Sequence, residues 1–504
     1  MKESIKRVII KNSFFGLISQ MISLIMQFII RIVTLRYIGV EILGLSSTII
    51  SVLKTLSLAE FGFQTTVVYY LYEPLREQNH EKVNQILSVL KGVYEIIGIL
   101  FIVVSILIIP ILKYLLSGID ISGVIIAYYL LMSFRNACTY FFAYRRALLF
   151  ADQKEYISKL IDSIFDIVCN GISIITIVII KSYMTVLVIQ IIQIIGANII
   201  IQRVCNKEYF YLKLAKFDKE TFKMLMADVK NVFLGKFAGY VYGATDNLVV
   251  SSAIGTIYVG YLSNYTIITS AVSKIVNATF NAMTPVIGNM LIDNKTAKDR
   301  EADFRMYSYI RYLLASSIII PWVFLADKIV QLFFGEQYIL SRGIVLLLAA
   351  DLYIHIVYTA CVEYINGSGK FRSDKNIAIV GALINIITSI YGVYKMGLEG
   401  VLAGTLISQV FFWLGRSALV YLKVFGLNCM ALGRYIMKNV IWLFAMIVVI
   451  AGVYYINGMF FIENIIMSIT ITFSLCEVLN IIVQLMLLRF SEEYHRLVKT
   501  LKKK

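Results

Sequence analysis

Charge is scarce in this chain, and what exists is lopsided. Only 15% of the 504 residues are Asp, Glu, Lys or Arg, with 47 basic against 31 acidic, while 59% are hydrophobic. So few charges cannot cover a water-facing surface, which excludes an ordinary soluble globular protein. Prolines number four, so long helices meet few interruptions. The three histidines form no H-E-x-x-H pattern, and no glycine-rich phosphate loop or G-x-S-x-G occurs, which leaves soluble-type catalysis without its usual groups. Cysteines stand apart at 138, 169, 205, 361, 429 and 476 with no C-x-x-C, so no disulfide framework, metal centre or cofactor is expected.

What the chain does contain is apolar runs, at a mean hydropathy of +0.79. A bilayer core about 30 Å thick is crossed by about 20 helical residues rising about 1.5 Å each. About fourteen stretches of that length fit, at 12–33, 43–72, 91–112, 121–144, 157–180, 183–202, 231–253, 257–290, 307–334, 341–365, 376–394, 399–422, 436–456 and 464–488. The second and eighth are long enough to protrude. The runs lack the alternation of lipid-facing strands, so helices are expected rather than a barrel. The fold class is therefore an all-α polytopic membrane protein.

Lysine and arginine gather in the N-terminal segment, in every even-numbered connection and in the C-terminal tail. At or beside the odd-numbered connections lie only Arg36, Lys113, Lys181, Arg342 and Lys395. The positive-inside rule then puts both termini in the cytoplasm, as an even number of crossings requires. Topology thus accounts for most of the formal charge of +16. Anionic membrane lipids, not nucleic acid, are the expected partners of the basic loops and of the Lys502-Lys503-Lys504 tail. Met1 to Lys11 leads straight into a full-length apolar stretch without a small-residue cleavage pattern, so no cleavable signal is expected.

A weak internal repeat keeps one register. Ile38-Gly39-x4-Gly44 recurs as Ile254-Gly255-x4-Gly260, 216 residues on (255 minus 39), and the same offset carries Ala151-Asp152-Gln153-Lys154 onto Gly367-Ser368-Gly369-Lys370. The expectation is two pseudo-symmetric six-helix bundles around a central cavity, 1–203 and 231–425, with a basic cytoplasmic linker at 204–230. An extra helix pair and basic tail follow at 426–504. Tyr209 to Lys223 reads as an amphipathic helix lying on the inner membrane surface. The extra pair is expected to pack outside the bundle or line a lipid-facing groove.

An ionisable side chain at mid-bilayer costs at least about 2.5 to 3.5 kcal/mol, so each one calls for a cavity, a partner or a function. The first half carries Arg31, Lys54, Glu60, Glu95, Arg135, Asp162 and Asp166; the second carries Lys236, Asp246, Lys274, Asp351, His355, Glu363 and Arg416, with Glu477 in the terminal pair. So many charges point to a hydrated interior chamber. Lys54, Arg135 and Lys274 lie deep in their spans and read as facing it. Arg31 divides between that role and snorkelling, and Lys236 and Arg416 read as snorkelling from span ends. Together Arg31, Lys54, Arg135 and Lys274 form the candidate cationic cavity, suited to a diphosphate or another polyanion. Glu60, Asp162, Asp166, Asp246, Asp351 and His355 are candidates for coupling or gating. Asp162 and Asp166 share a helix face, where one carboxylate raises the pKa of the other. Asp351 and His355 repeat that spacing as a structural pair or a proton relay.

The order of Arg31, Ile38-Gly39-x4-Gly44, Leu58-Ala59-Glu60-Phe61-Gly62-Phe63, Ala151-Asp152-Gln153-Lys154-x-Tyr156, Thr245-Asp246-Asn247, Ile254-Gly255-x4-Gly260-Tyr261, Phe334-Gly335-x2-Tyr338 and Gly369-Lys370-Phe371 resembles the Wzx-type polysaccharide flippases. These belong to the multidrug/oligosaccharidyl-lipid/polysaccharide exporter superfamily. The likeness implies movement of a polyprenyl-diphosphate-linked oligosaccharide from the inner to the outer leaflet of the bacterial cytoplasmic membrane, for O-antigen or capsule assembly. Polysaccharide polymerase and glycosyltransferases would be its partners. In the related lipid II flippases, arginines on the first, second and eighth helices line a cationic cavity, and Arg31, Lys54 and Lys274 fall on those helices here. Two rivals stand beside this reading. A cation-coupled multidrug exporter would favour an acidic, aromatic chamber, and a membrane polymerase or glycosyltransferase would need a large polar loop. The chain is accordingly expected not to be an enzyme.

Overall fold

The computed structural model describes the backbone of residues 2–57, 63–213, 217–281, 283–292, 296–368, 370–458, 464–488 and 491–495. Within these, side chains are described outside 2–14, 17, 64–66, 227–228, 230–244, 281, 284–286, 289, 292, 371–372 and 487–488. The described elements are helical: α1 (Lys2–Tyr37), α2 (Val40–Leu56), α3 (Phe63–Arg76), α4 (His80–Ile108), α5 (Leu112–Leu115), α6 (Gly123–Phe141), α7 (Ala143–Ala151), α8 (Glu155–Ile180) and α9 (Tyr183–Glu208). There follow α10 (Lys219–Ala253), α11 (Thr256–Asn281), α12 (Met283–Ile292), α13 (Ala297–Phe333), α14 (Arg342–Gly367), α15 (Phe371–Ala418), α16 (Cys429–Asn457) and α17 (Ile465–Leu488).

Among the described residues, nine helical stretches are long and apolar enough to cross a membrane. The expected fourteen crossings are not separately established, and part of the difference has a physical source. The second apolar run is two helices, α2 and α3, of 17 and 14 residues, with 58–62 between them outside the described residues. The eleventh and twelfth runs form one helical hairpin, α15, turned at Gly397, whose φ of 60° suits glycine. Its arms are cross-linked by Asn385 to Thr405 (3.1 Å) and by Ser389 to the Val401 carbonyl (3.3 Å).

The chain forms two compact units, Met1–Ser263 and Asn264–Lys504. Packing in the first unit therefore extends past the linker to take in α10 and the first turns of α11. Asn247 of α10 donates to Ser51 of α2 (3.1 Å), and Ser251 donates to the Leu115 carbonyl (2.6 Å). Tyr209 to Lys223 does not form the expected single helix. Residues 209–213 are non-helical, and α10 starts only at Lys219, capped by Asp218. Specific bonds outweigh the amphipathic pattern here. The Tyr209 hydroxyl donates to Asp152 (2.7 Å), while the Asn84 side chain bonds both the Tyr211 carbonyl (3.0 Å) and the Lys213 N–H (3.1 Å). Hydrogen bonds from the Thr221 hydroxyl and N–H hold the capping Asp218 carboxyl below its usual range.

On α8 and α17 polar residues turn into the packed interior and the outward faces are apolar, as lipid surroundings favour. On α8, Ser158, Ser163, Asn170 and Ser173 are buried, while Ile164, Ile167, Val168, Ile172, Ile175 and Ile179 are exposed. On α17 the buried residues Thr472, Cys476, Asn480 and Gln484 recur every fourth position. Asn480 donates to Ser317 (3.2 Å), Gln484 to the Tyr312 hydroxyl (2.7 Å), and Lys328 to Ser468 (2.8 Å) and Thr472 (3.1 Å). The terminal helix thus docks on α13 through a polar ladder, and Met467, Phe473, Val478 and Met486 point outward.

The repeated glycine motif recurs in backbone geometry. Gly39 and Gly255 precede α2 and α11 with φ of 120° and 138°. Each donates its N–H five residues back, Gly39 to Thr34 and Gly255 to Val250, both at 3.1 Å. The second motif recurs too: Lys154 N–H reaches the Leu149 carbonyl (2.8 Å) and Lys370 N–H the Ile365 carbonyl (3.3 Å). Inside the first unit the start of α2 lies against the start of α11, glycine on glycine. A Cβ on Gly44 would run into the Thr256 carbonyl, and one on Gly260 would sit 2.6 Å from the Val40 carbonyl. Only glycine permits that approach. We predict that Gly44→Val lowers the thermal unfolding midpoint of purified protein, at a cost of about 1 to 3 kcal/mol or more from overpacking. Gly433→Ala, where a Cβ meets open space, should leave the midpoint unchanged; equal midpoints for Gly44→Val and wild type would refute the contact.

Candidate functional site

Charges in the first unit gather in a polar cavity of about 500 Å³ lined by residues of α1, α4, α6, α7, α8 and α9. Its floor is an ion pair that the sequence reading had not singled out. Arg146 holds Asp162 through two bonds of 2.7 and 2.8 Å and donates a third, from Nε, to Asn198 at 2.9 Å. A guanidinium matches a carboxylate in this two-pronged geometry, which fixes both groups. One turn further along α8, Asp166 accepts from Gln193 (2.5 Å), with Ser23 of α1 also within hydrogen-bonding reach. Ser19, Gln20, Lys159, Tyr94 and Tyr140 complete much of the wall. Side chains of Arg146 and Asp162 keep about a third of their surface open, at 30% and 32%. The cavity can therefore hold water, and its charges keep part of their hydration.

Two expected cavity cations come together in this unit. Arg31 of α1 donates to the Gly260 carbonyl (3.4 Å) and to Ser263, which ties α1 to the start of α11. Arg135 of α6 lies near the Asp166 carboxylate and the Tyr183 phenol. Tyr183, the first residue of α9, lies within electrostatic range of both guanidiniums. Arg31 and Arg135 therefore share a neighbourhood around one phenol. Lys54 is exposed on α2, and Glu60 lies outside the described residues. Asp246 is half-buried on α10, next to the Asn247 that bonds Ser51. Side-chain placement of Lys236 is outside the described residues.

In the second unit two ion pairs sit in drier surroundings. Arg311 of α13 and Glu363 of α14 form a buried pair, their side chains 0% and 3% exposed. Arg311 also donates to the Ile356 carbonyl (2.8 Å) and lies 4.2 Å from the centre of the Phe280 ring; Tyr307 donates to the other Glu363 oxygen. Arg416 does not snorkel as expected. It bonds Asp374 at 2.7 and 3.2 Å and packs over Phe412, because a partner across the α15 hairpin is closer than bulk water. His355 meets Tyr358 edge-on at 5.6 Å, and Asp351, one turn earlier, is half-buried. Lys274 is exposed on α11.

Sequence reasoning missed Arg146, Arg311, Gln193 and Asn198. Arg146 sits in a basic connection and was absorbed into topology, although an i,i+4 carboxylate pair follows at 162 and 166. Arg311, inside the ninth apolar run, carried the same signal as the other intramembrane charges.

The helices and their inward-facing charges define a polytopic α-helical membrane protein. The fold is similar to "Lipid II flippase MurJ, inward closed conformation", with a TM-score of 0.69 at 16% identity, covering 95% of this chain and 98% of that one. An inward-facing MATE multidrug resistance transporter of the MOP superfamily follows at 0.64 and 14%, covering 82% of this chain and 99% of that one. The Vibrio cholerae MATE transporter VcmN stands at 0.52 and 13%, covering 82% and 98%. No curated protein matches the sequence at significant similarity. Residues 9–291 match the family described as polysaccharide biosynthesis protein, and the chain belongs to that family.

Breaking the dry pair should cost more than breaking the wet one. Glu363→Ala leaves Arg311 buried without its carboxylate, a loss of about 3 to 5 kcal/mol, whereas the Arg311→Met/Glu363→Met double variant should recover most of it. Arg146→Ala, beside water, should cost about 1 to 3 kcal/mol. Denaturant unfolding in detergent measures all three, and equal losses for Glu363→Ala and Arg146→Ala would refute the contrast.

Proposed function

We propose that this protein is a flippase that carries polyprenyl-diphosphate-linked oligosaccharide from the cytoplasmic to the outer leaflet for cell-surface polysaccharide assembly, O-antigen or capsule. One comparison carries the reading beyond family membership. The likeness to the lipid II flippase fold spans 95% of the chain against 82% for the multidrug exporter fold, and the difference is close to the share occupied by α16 and α17. A multidrug exporter is the weaker reading for that reason, and no catalytic step is part of the proposal.

The mechanism proposed is alternating access. The diphosphate and sugars enter a cationic pathway lined by Arg31, Lys54, Arg135 and Lys274, and the polyprenyl chain stays in lipid. Fixed cations offset the cost of moving phosphate into low dielectric. Both termini are placed in the cytoplasm by the lysine and arginine bias, in a bacterial cytoplasmic membrane. Energy comes from a gradient or from the membrane potential, which is worth about 2.3 kcal/mol per charge per 100 mV. Glu60, Asp162, Asp166, Asp246, Asp351 and His355 are the groups proposed to couple or gate. Among them Asp166 is best supported, because it lines the polar cavity of about 500 Å³ next to Asp162 and close to Arg135.

Neutralising Lys54, Arg135 and Lys274 together should abolish glycan export while membrane insertion persists; wild-type export by the triple variant would reject the cationic pathway. Asp166→Asn should make translocation of lipid-linked sugar into proteoliposomes insensitive to an imposed ion or proton gradient. An unchanged gradient response would remove Asp166 from the coupling role. Efflux of cationic dyes with no movement of lipid-linked sugar would favour the multidrug reading instead.

A further inference from the structure

A second cleft lies in the first unit, away from the Arg146–Asp162 cavity. It has a volume of about 890 Å³ and is lined by Tyr69, Tyr70, Tyr72, Glu73, Arg76, Glu77, Lys82 and Met224. Helix periodicity builds it. On α3 the residues Val67, Val68 and Leu71 are buried, so positions 69, 72, 73 and 76 form one outward stripe of two rings, an acid and a base. Tyr69 is 70% exposed, and its ring stands edge-on to that of Tyr70 at 5.6 Å.

The corner between α3 and α4 brings Glu77 and Lys82 to the same stripe. It is held by the Asn79 side chain, which accepts the Lys82 N–H (3.0 Å), by the Asn79 N–H bonded to the Pro74 carbonyl (2.9 Å), and by Gln78 at φ 56°. Among the described residues, Glu73, Arg76, Glu77 and Lys82 form no ion pairs, although two of each sign line one cleft. Their hydrogen-bonding capacity is uncommitted.

We propose that this cleft binds the sugar portion of the substrate, with a pyranose ring against Tyr69 and Tyr72 and its hydroxyls bonded to Glu73, Arg76, Glu77 and Lys82. Balanced charge argues against a phosphate or an anionic headgroup, since two carboxylates would repel either. Hydroxyls suit the set because each both donates to a carboxylate and accepts from a cation. Tyrosine adds a broad apolar face with a polar rim. The lysine and arginine bias puts this corner on the cytoplasmic side, where a flippase must collect its cargo. The inference rests on the flippase reading and adds to it a sugar subsite separate from the cationic pathway.

The test uses the full chain in nanodiscs and two probes, polyprenyl diphosphate bearing a short oligosaccharide and the same lipid without sugar. Tyr69→Ala/Tyr72→Ala should weaken binding of the glycosylated lipid about tenfold and of the bare lipid less than about twofold, as loss of two stacking rings implies. Tyr69→Phe/Tyr72→Phe should stay close to wild type, and Glu73→Gln/Glu77→Gln should again weaken only the glycosylated lipid. Equal losses for both probes, or no loss in any variant, would overturn the sugar site. Wild-type protein that binds the two lipids equally also overturns it and leaves the flippase reading standing. Wild-type protein that binds neither overturns both.

Discussion

The hydrocarbon of a bilayer offers no hydrogen bonds, and the structure is organised by that single constraint. Every polar side chain inside the membrane must find a partner in the protein or a cavity wet enough to replace one. On α8 the constraint turns a serine and aspartate stripe inward and an isoleucine face outward. In α17 it spaces Thr472, Cys476, Asn480 and Gln484 so that one helix edge meets Ser317, Tyr312 and Lys328 of α13. Association of these helices depends on hydrogen bonds and close backbone packing, because lipid tails are as apolar as leucine.

The two units meet this demand differently. In the first, Arg146, Asp162 and Asp166 surround a cavity that water can enter, so charge can be exchanged there at modest cost. Arg311 and Glu363 in the second are sealed beneath Phe280 and Tyr307. A sealed pair fixes helices in place and is poorly suited to bind and release a ligand. Intramembrane charge is therefore not one category in this protein. Exposure and the number of fixed partners separate sealed structural ions from those that keep contact with water.

Much of the fold was legible because lipid imposes length and composition so strongly on spanning segments. The α15 hairpin, the polar stripe on α8 and the glycine repeat all follow from patterns visible along the chain. Fewer features of the site were legible, since its pairings join residues far apart in sequence. Arg146 and Asp162 lie on either side of the α7–α8 connection, Arg416 and Asp374 on the two arms of a hairpin, and Arg311 and Glu363 on the successive helices α13 and α14, 52 residues apart. Position in a span gives the depth of a charge but not the helix face opposite it. Arg416 illustrates the difference: its nearness to a span end suggested escape to water, and Asp374 supplied a nearer partner. The segment 209–213 failed for a related reason, because Asn84 and Asp152, both distant in sequence, hold it out of helical form.

The inclusion of α10 and the first turns of α11 in the compact unit Met1–Ser263 bears on how this protein can be recombined. A chimaera joined at the basic linker would separate Asn247 from Ser51, Ser251 from Leu115, and Gly260 from Gly44 and Arg31. Each exchanged half would then have to rebuild that interface with foreign residues, one of them a glycine contact with no spare room. A crossover just after Ser263 keeps the whole set in one parent, so specificity could be moved between homologues as an intact packing module rather than as half of a repeat.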